Sequence, residues 1–207
     1  MSLPDSFGNL TYLQKLFLSS NQLSNLPKSF TNLRSIETLD LRNNQLRSLS
    51  EDFGKFSNLK SLDLRNNNLH SLPKSFSSLS RLIELDLSWN HLNELPITFG
   101  QLKYLRELAL FNNRLEYLPK SFCQLSQLKK LDLSWNQFKT LPLNFGDLEA
   151  LQTLCLDGNP LSSLPATFRN LRELKRLDLS NTHLASSRTE RKKIERSLVS
   201  CGIVWSS

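Results

Sequence analysis

The sequence predicts an α/β solenoid, a coil of short units that each add one strand to a parallel sheet. Three observations predict it. A 23-residue period repeats eight times without an insertion, its units opening at Leu13, Ile36, Leu59, Leu82, Leu105, Leu128, Leu151 and Leu174. The first half of each unit alternates apolar and polar residues, the period of a strand with one buried face. The second half spaces its apolar residues by about three, the period of a tight helical turn. A fixed period of this length marks a repeat architecture rather than a globular domain.

The units read L-x-x-L-x-L-x-x-N-x-L-x-x-L-P-x-x-F-x-x-L-x-x; residues 13–21 are LQKLFLSSN and residues 59–67 are LKSLDLRNN. Each strand returns at the same phase, so neighbouring strands are parallel, and eight of them at about 4.8 Å spacing give a sheet about 34 Å long. The column Asn21, Asn44, Asn67, Asn90, Asn113, Asn136 and Asn159 follows the strand. There the chain turns inward and strands its backbone polar groups, which an amide carrying both donor and acceptor can satisfy. Thr182 takes that place in the last unit, and Ser50 stands in the column otherwise held by Pro4, Pro27, Pro73, Pro96, Pro119, Pro142 and Pro165. Short helical or 3₁₀ turns are expected on the convex side, with Phe7, Phe30, Phe53, Phe76, Phe99, Phe122, Phe145 and Phe168 stacked in one column behind the sheet.

The two ends break the pattern. Leu3, Pro4, Phe7 and Leu10 match the second half of a unit whose strand is missing, and the expectation is a chain that begins mid-repeat and frays there. Ser187-Arg188-Thr189-Glu190 reads as a capping box. The run RKKIERSLV over residues 191–199 sets Ile194 and Leu198 on one helical face, and Ile203-Val204-Trp205 reads as a last strand beside Leu177–Leu179. Residues 1–184 are therefore assigned to the repeats and 185–207 to a cap that covers the open edge, with Trp205 plugging the core.

The first ten residues lack a basic start followed by a long apolar run, so no secretory signal is read there. No segment has the length needed to span a bilayer. Three scattered cysteines favour a reducing compartment, hence a cytoplasmic location. Net charge is +7, concentrated at one end: residues 169–207 hold nine Lys or Arg against four Asp or Glu.

These motifs resemble the cytosolic leucine-rich-repeat proteins built on a 23-residue LPxxF unit, over residues 3–184. That group includes Ras-pathway scaffolds of animals and plants and secreted effectors of intracellular bacterial pathogens. The resemblance implies a right-handed arc with the parallel sheet on its concave face. It also implies a non-enzymatic protein-binding scaffold, acting in signalling, or in the host cytoplasm where such a protein is an effector. Effectors of this kind that act as ubiquitin ligases carry their cysteine in a further domain, and Cys155 is not read as its counterpart.

Catalytic sets are absent from the sequence: there is no P-loop, no G-x-G-x-x-G and no G-x-S-x-G. His70, His91 and His183 sit in different units without a Cys or His at ligand spacing, so no metal or other cofactor is expected. Asp40, Asp63 and Asp86 share one strand position, and Asp132 and Asp178 repeat it, a ladder of carboxylates that could supply an acid/base pair. Arg42 and Arg65, two residues on, are expected to neutralise it. Cys155 shares the column, where carboxylates would raise its pKa.

The binding surface is placed on the concave side, with no small-molecule substrate and a monomeric chain. Counting from the first Leu or Ile of a unit, positions 2, 3, 5, 7 and 8 face inward. Position 8 is Trp89 and Trp135 with Asn112 between them, and position 7 of the middle unit is Phe111. Clustered exposed aromatics mark interaction sites. Glu84, Arg106, Glu107, Lys129 and Lys130 form a mixed rim around them. The alternative is nucleic acid or anionic membrane held by the basic end, including Arg188, Arg191, Lys192, Lys193 and Arg196.

Overall fold

The computed structural model describes residues 2–198 and 200–206. Met1, Val199 and Ser207, which the expected repeat and cap spans include, lie outside the described residues. Each unit contributes a three-residue strand: β1 (Lys15–Phe17), β2 (Thr38–Asp40), β3 (Ser61–Asp63), β4 (Glu84–Asp86), β5 (Glu107–Ala109), β6 (Lys130–Asp132), β7 (Thr153–Cys155) and β8 (Arg176–Asp178). With β9 (Gly202–Val204) they form one parallel sheet in chain order. The register follows the period, Leu39 beside Leu62 and Leu62 beside Leu85. The apolar residues at positions 1, 4, 6 and 11 are buried in every central unit, as with Leu59, Leu62, Leu64 and Leu69. No unit could cover that face alone, so stacking supplies the burial.

The Asn column does the work expected of it. Asn67 Nδ2 donates to Leu41 O of the previous unit and Leu64 O of its own, each at 3.0 Å, and its Oδ1 accepts Leu46 N at 3.0 Å. The same triad repeats at Asn113 and Asn136. Thr182 departs from the column because a helix starts there: its Oγ1 accepts Ala185 N and caps α1 (His183–Ser186). Ser50, in the proline column, accepts Asp52 N and caps its own 3₁₀ turn.

The convex side differs from the single file of rings expected. The phenylalanines do align, but they stack two by two: Phe7 on Phe30, Phe53 on Phe76, Phe99 on Phe122 and Phe145 on Phe168, with interplanar angles of 14°, 5°, 7° and 9°. The cause is a second period of 46 residues. The residue after the first Phe of each pair is Gly8, Gly54, Gly100 or Gly146; after the second it is Thr31, Ser77, Cys123 or Arg169. A Cβ on Gly100 would fall inside the Ser121 carbonyl, 2.6 Å from its carbon. Only glycine lets the two turns come that close. The closed gap is bonded: Gly100 N donates to Ser121 Oγ at 3.3 Å, which donates to Ile97 O at 2.6 Å. Thr167 makes the same pair of bonds to Gly146 N and Leu143 O.

The half-unit at the start is docked by the first such pair, Phe7 on Phe30, with Ser29 Oγ donating to Asp5 O at 2.7 Å. At the other end Ser187 caps α2 (Arg188–Ser197) through Glu190 N. Ile194 and Leu198 are buried in the core, and β9 pairs with β8, Leu177 beside Ile203. Trp205 lies just past β9, half-buried against the core with Arg191 over its ring at 5.1 Å.

Candidate functional site

Position 8 has a backbone geometry that the sequence pattern alone does not show. In all eight units it is left-handed: Ser20, Asn43, Asn66, Trp89, Asn112, Trp135, Gly158 and Asn181 have φ between 53° and 67°. Asn and Gly tolerate this conformation, whereas for other L-residues it costs about 1–2 kcal/mol. Two tryptophans therefore stand where the backbone selects against them. Both are half exposed, Trp89 at 51% and Trp135 at 52%. Strain of this kind persists where something compensates for it, and it concentrates at functional positions.

The three aromatics do not form one cluster. Trp89 meets Phe111 edge to face, centroids 5.3 Å apart. Trp135 likewise leans on the next unit, away from Phe111, and there it meets Gly158. A Cβ on Gly158 would sit 2.8 Å from Trp135 Cδ2, so this glycine makes the bed for the indole. Asn112 stands between the two tryptophans, its side chain partly exposed. Gly158 was not among the predicted site residues; its signal was a Gly in a column otherwise filled by Asn, Ser and Trp.

The floor beside this edge is an open groove of about 430 Å³ over β3 to β7. Its row at position 3 runs Ser61, Glu84, Glu107, Lys130, Thr153, and its row at position 5 runs Asp63, Asp86, Ala109, Asp132, Cys155. Lys130 pairs with Glu107 at 2.8 Å, and Ser61 Oγ donates to Glu84 at 3.1 Å. Glu84, Glu107 and Lys130 thus share the floor of the groove. Arg106 does not join them. It lies at the opposite border of the sheet, six positions before the tryptophan column, where it lines a separate cavity of about 370 Å³ with Ile83, Tyr104, Arg81 and Lys60.

The aspartate ladder has a structural role. Each Oδ1 accepts the N–H two residues on: Asp40 from Arg42, Asp63 from Arg65, Asp86 from Ser88, Asp132 from Ser134, Asp178 from Ser180. These bonds tie the aspartates to the turn that follows the strand, a structural reason for the recurring L-D-L. Arg42 bridges Asp40 and Asp63 at 3.3 and 3.9 Å, and Arg65 bridges Asp63 and Asp86 at 2.8 and 3.7 Å. Among the described residues no cation lies within ion-pair reach of Asp132. Burial holds the Asp132 carboxyl above the ordinary carboxylate range, offset in part by bonds from Ser134 and reinforced by Asp157 and Asp86. Asp63 is raised too, chiefly by burial.

The thiols are poor nucleophiles. Burial, then Asp132 and Asp178, pushes Cys155 up to about 11; burial and Asp147 push Cys123 up to about 12. His70 and His91, from adjacent units, lie with rings 5.5 Å apart, and His183 opens α1. Among the described residues no group of three His, Cys, Asp or Glu side chains is placed to hold a metal, and no helix is long and apolar enough to cross a membrane. At the basic end Lys193 reaches Glu190 at 3.7 Å, and Arg188, Lys192 and Arg196 are exposed on α2.

A family profile for leucine-rich repeats matches residues 3–46 and 34–92, and one for Zer-1-like leucine-rich repeats matches residues 73–204. The chain belongs to the leucine-rich repeat family. A leucine-rich repeat protein of Leptospira interrogans superposes on 98% of it with a TM-score of 0.94 at 35% identity; the chain covers 51% of that protein. The plant peptide hormone receptor RGFR1, solved in complex with RGF2, matches 99% of the chain with a TM-score of 0.82 at 26% identity, over 35% of its own length. The ectodomain of the receptor kinase GASSHO1/SCHENGEN3 from Arabidopsis thaliana, in complex with CASPARIAN STRIP INTEGRITY FACTOR 2, matches 87% with a TM-score of 0.73 at 30% identity, over 26% of its length. The chain thus spans about half of the Leptospira protein and a smaller share of the receptors. No curated protein matches it. Membership of the leucine-rich repeat family supports a protein-interaction module in general terms.

Proposed function

We propose that this leucine-rich repeat chain is a non-enzymatic module that binds a partner protein on its concave face. The contact is the edge formed by Trp89, Phe111, Asn112 and Trp135, with Glu84, Glu107 and Lys130 on the adjoining floor and Arg106 at the far border. The observation that carries this reading is the pair of half-exposed tryptophans held in left-handed backbone. Aromatic anchors of this kind dominate interface energetics, and surrounding charges orient the partner more than they hold it. Two of the similar solved structures are receptors in complex with a ligand, one of them a peptide hormone receptor, which supports a peptide or protein ligand here. Three unpaired cysteines fit a reducing compartment, so we place the module in the cytoplasm, a host cell's if it is a secreted effector.

Affinity capture with mass spectrometry on wild type and on Trp135→Ala tests the reading. A partner recovered by wild type and lost from the variant supports it. Equal recovery from Trp135→Ala combined with Phe111→Ala removes this edge as the contact.

A further inference from the structure

The concave edge carries the same constellation twice. Units four and six share the run D-L-S-W: Asp86, Ser88 and Trp89, then Asp132, Ser134 and Trp135. In both, the aspartate lines the groove, and its Oδ1 accepts the serine N–H at 2.9 Å. In both, the tryptophan is half exposed. The two copies lie two strands apart, about 9.6 Å at the spacing of a sheet. Between them the floor dips at Ala109, and Asn112 offers an amide engaged by no other group among the described residues.

Resting on the concave-face reading above, we propose that this edge takes a cationic polyproline-II segment lying along the solenoid axis. Its Lys or Arg side chains, three residues apart, would sit one at Trp135 and Asp132 and the other at Trp89 and Asp86. The chemistry is that of a cation placed between an indole face and a carboxylate. The spacing selects the conformation: three polyproline-II residues advance about 9.3 Å, whereas same-face residues of an extended strand recur at about 6.8 Å. Charge favours a cation more strongly at the second copy. Arg65 already reaches Asp86 at 3.7 Å, while no Lys or Arg among the described residues pairs with Asp132, and Asp157 and Asp86 are the charges felt there. A segment without internal backbone bonds also needs donors for its carbonyls, and Asn112 stands where one is required.

Fluorescence anisotropy with labelled peptides tests this. The probe is PPRPPRPP; the controls are PPEPPEPP, PRPRPPPP with its arginines two apart, and an alanine-rich helical peptide with two arginines seven apart. Saturable binding of the probe is expected, weakened tenfold or more by Asp132→Asn and by added salt, with each control at least tenfold weaker. Asparagine at position 132 keeps an acceptor for Ser134 N, so that bond is retained. Three results would each overturn the proposal: no saturable binding up to about 1 mM, equal binding of the glutamate peptide, or tighter binding of either respaced control. Trp89→Asn with Trp135→Asn separates the two levels of the argument. If a captured partner protein is lost from that variant while the probe never binds, the contact edge stands and the cationic chemistry is wrong. If the partner is retained, the edge itself is wrong.

Discussion

Replacing Gly100 by alanine puts the paired construction of the convex side to the test. The added methyl would overlap the Ser121 carbonyl oxygen and lie 2.6 Å from its carbon, where carbon atoms rest at about 3.5–4.0 Å. The two turns must separate by about 1 Å to admit it. Separation disturbs the Phe99–Phe122 stack at 5.9 Å, worth about 0.5–1.5 kcal/mol. It also stretches the bonds from Gly100 N to Ser121 Oγ and from Ser121 Oγ to Ile97 O, each worth about 1 kcal/mol. The lost freedom of glycine in the unfolded chain returns about 0.4–1 kcal/mol. The net expectation is a loss of about 2–3 kcal/mol, in the range of overpacked cores. Urea unfolding followed by circular dichroism measures it, beside Cys123→Ala, which alters the same position of the partner unit where a Cβ already fits. That control should cost about 1 kcal/mol. If Gly100→Ala loses no more than about 0.5 kcal/mol, close approach within pairs is not what organises this side.

Phe99 is fully buried, and its replacement by alanine should cost about 3–5 kcal/mol in the same assay by opening a cavity; a cost near that of a surface site would show that the ring file is not core. Asp132 makes a pH-dependent contribution. Its folded pKa is raised, so its favourable contribution is complete below the unfolded pKa and is lost as pH rises through the folded one. Asp132→Asn should therefore unfold at the same or a higher urea concentration than wild type at pH 7, with the gap closing in acid; a lower one contradicts the assignment. Charge reversal at Lys192 and Lys193 separates the basic end from the concave face. Partner binding should be unchanged, and a loss that tracks added salt would move the contact to α2.

The fold was legible because it is written redundantly. One column of asparagines, one of prolines and one of phenylalanines all report the same phase, and each demands the same partners in the next unit. The cap was legible for a different reason, since Ser187, Glu190, Ile194 and Leu198 obey local helix rules. The 46-residue period was equally present in Gly8, Gly54, Gly100 and Gly146, but a glycine's role is a contact with the following unit, which composition does not display. The site was half legible. Chemistry picked out Trp89, Phe111 and Trp135, yet it took backbone dihedrals to show that position 8 is left-handed, and so that tryptophan there is costly. The lean of Trp135 toward Gly158 rather than Phe111 depended on side-chain direction, which periodicity does not carry. Arg106 was grouped with the aromatics because both face inward; six positions along the chain set them on opposite borders of the groove.

Isothermal titration of a captured partner against Trp89→Asn with Trp135→Asn tests the central claim most directly. Asparagine is what this column carries at Asn43, Asn66 and Asn112, so the left-handed turn is kept while the indoles are removed. Each anchor should contribute at least 1–2 kcal/mol, so the dissociation constant of the double variant should rise on the order of a hundredfold. A folded double variant that binds with wild-type affinity would show that the partner sits elsewhere on the coil.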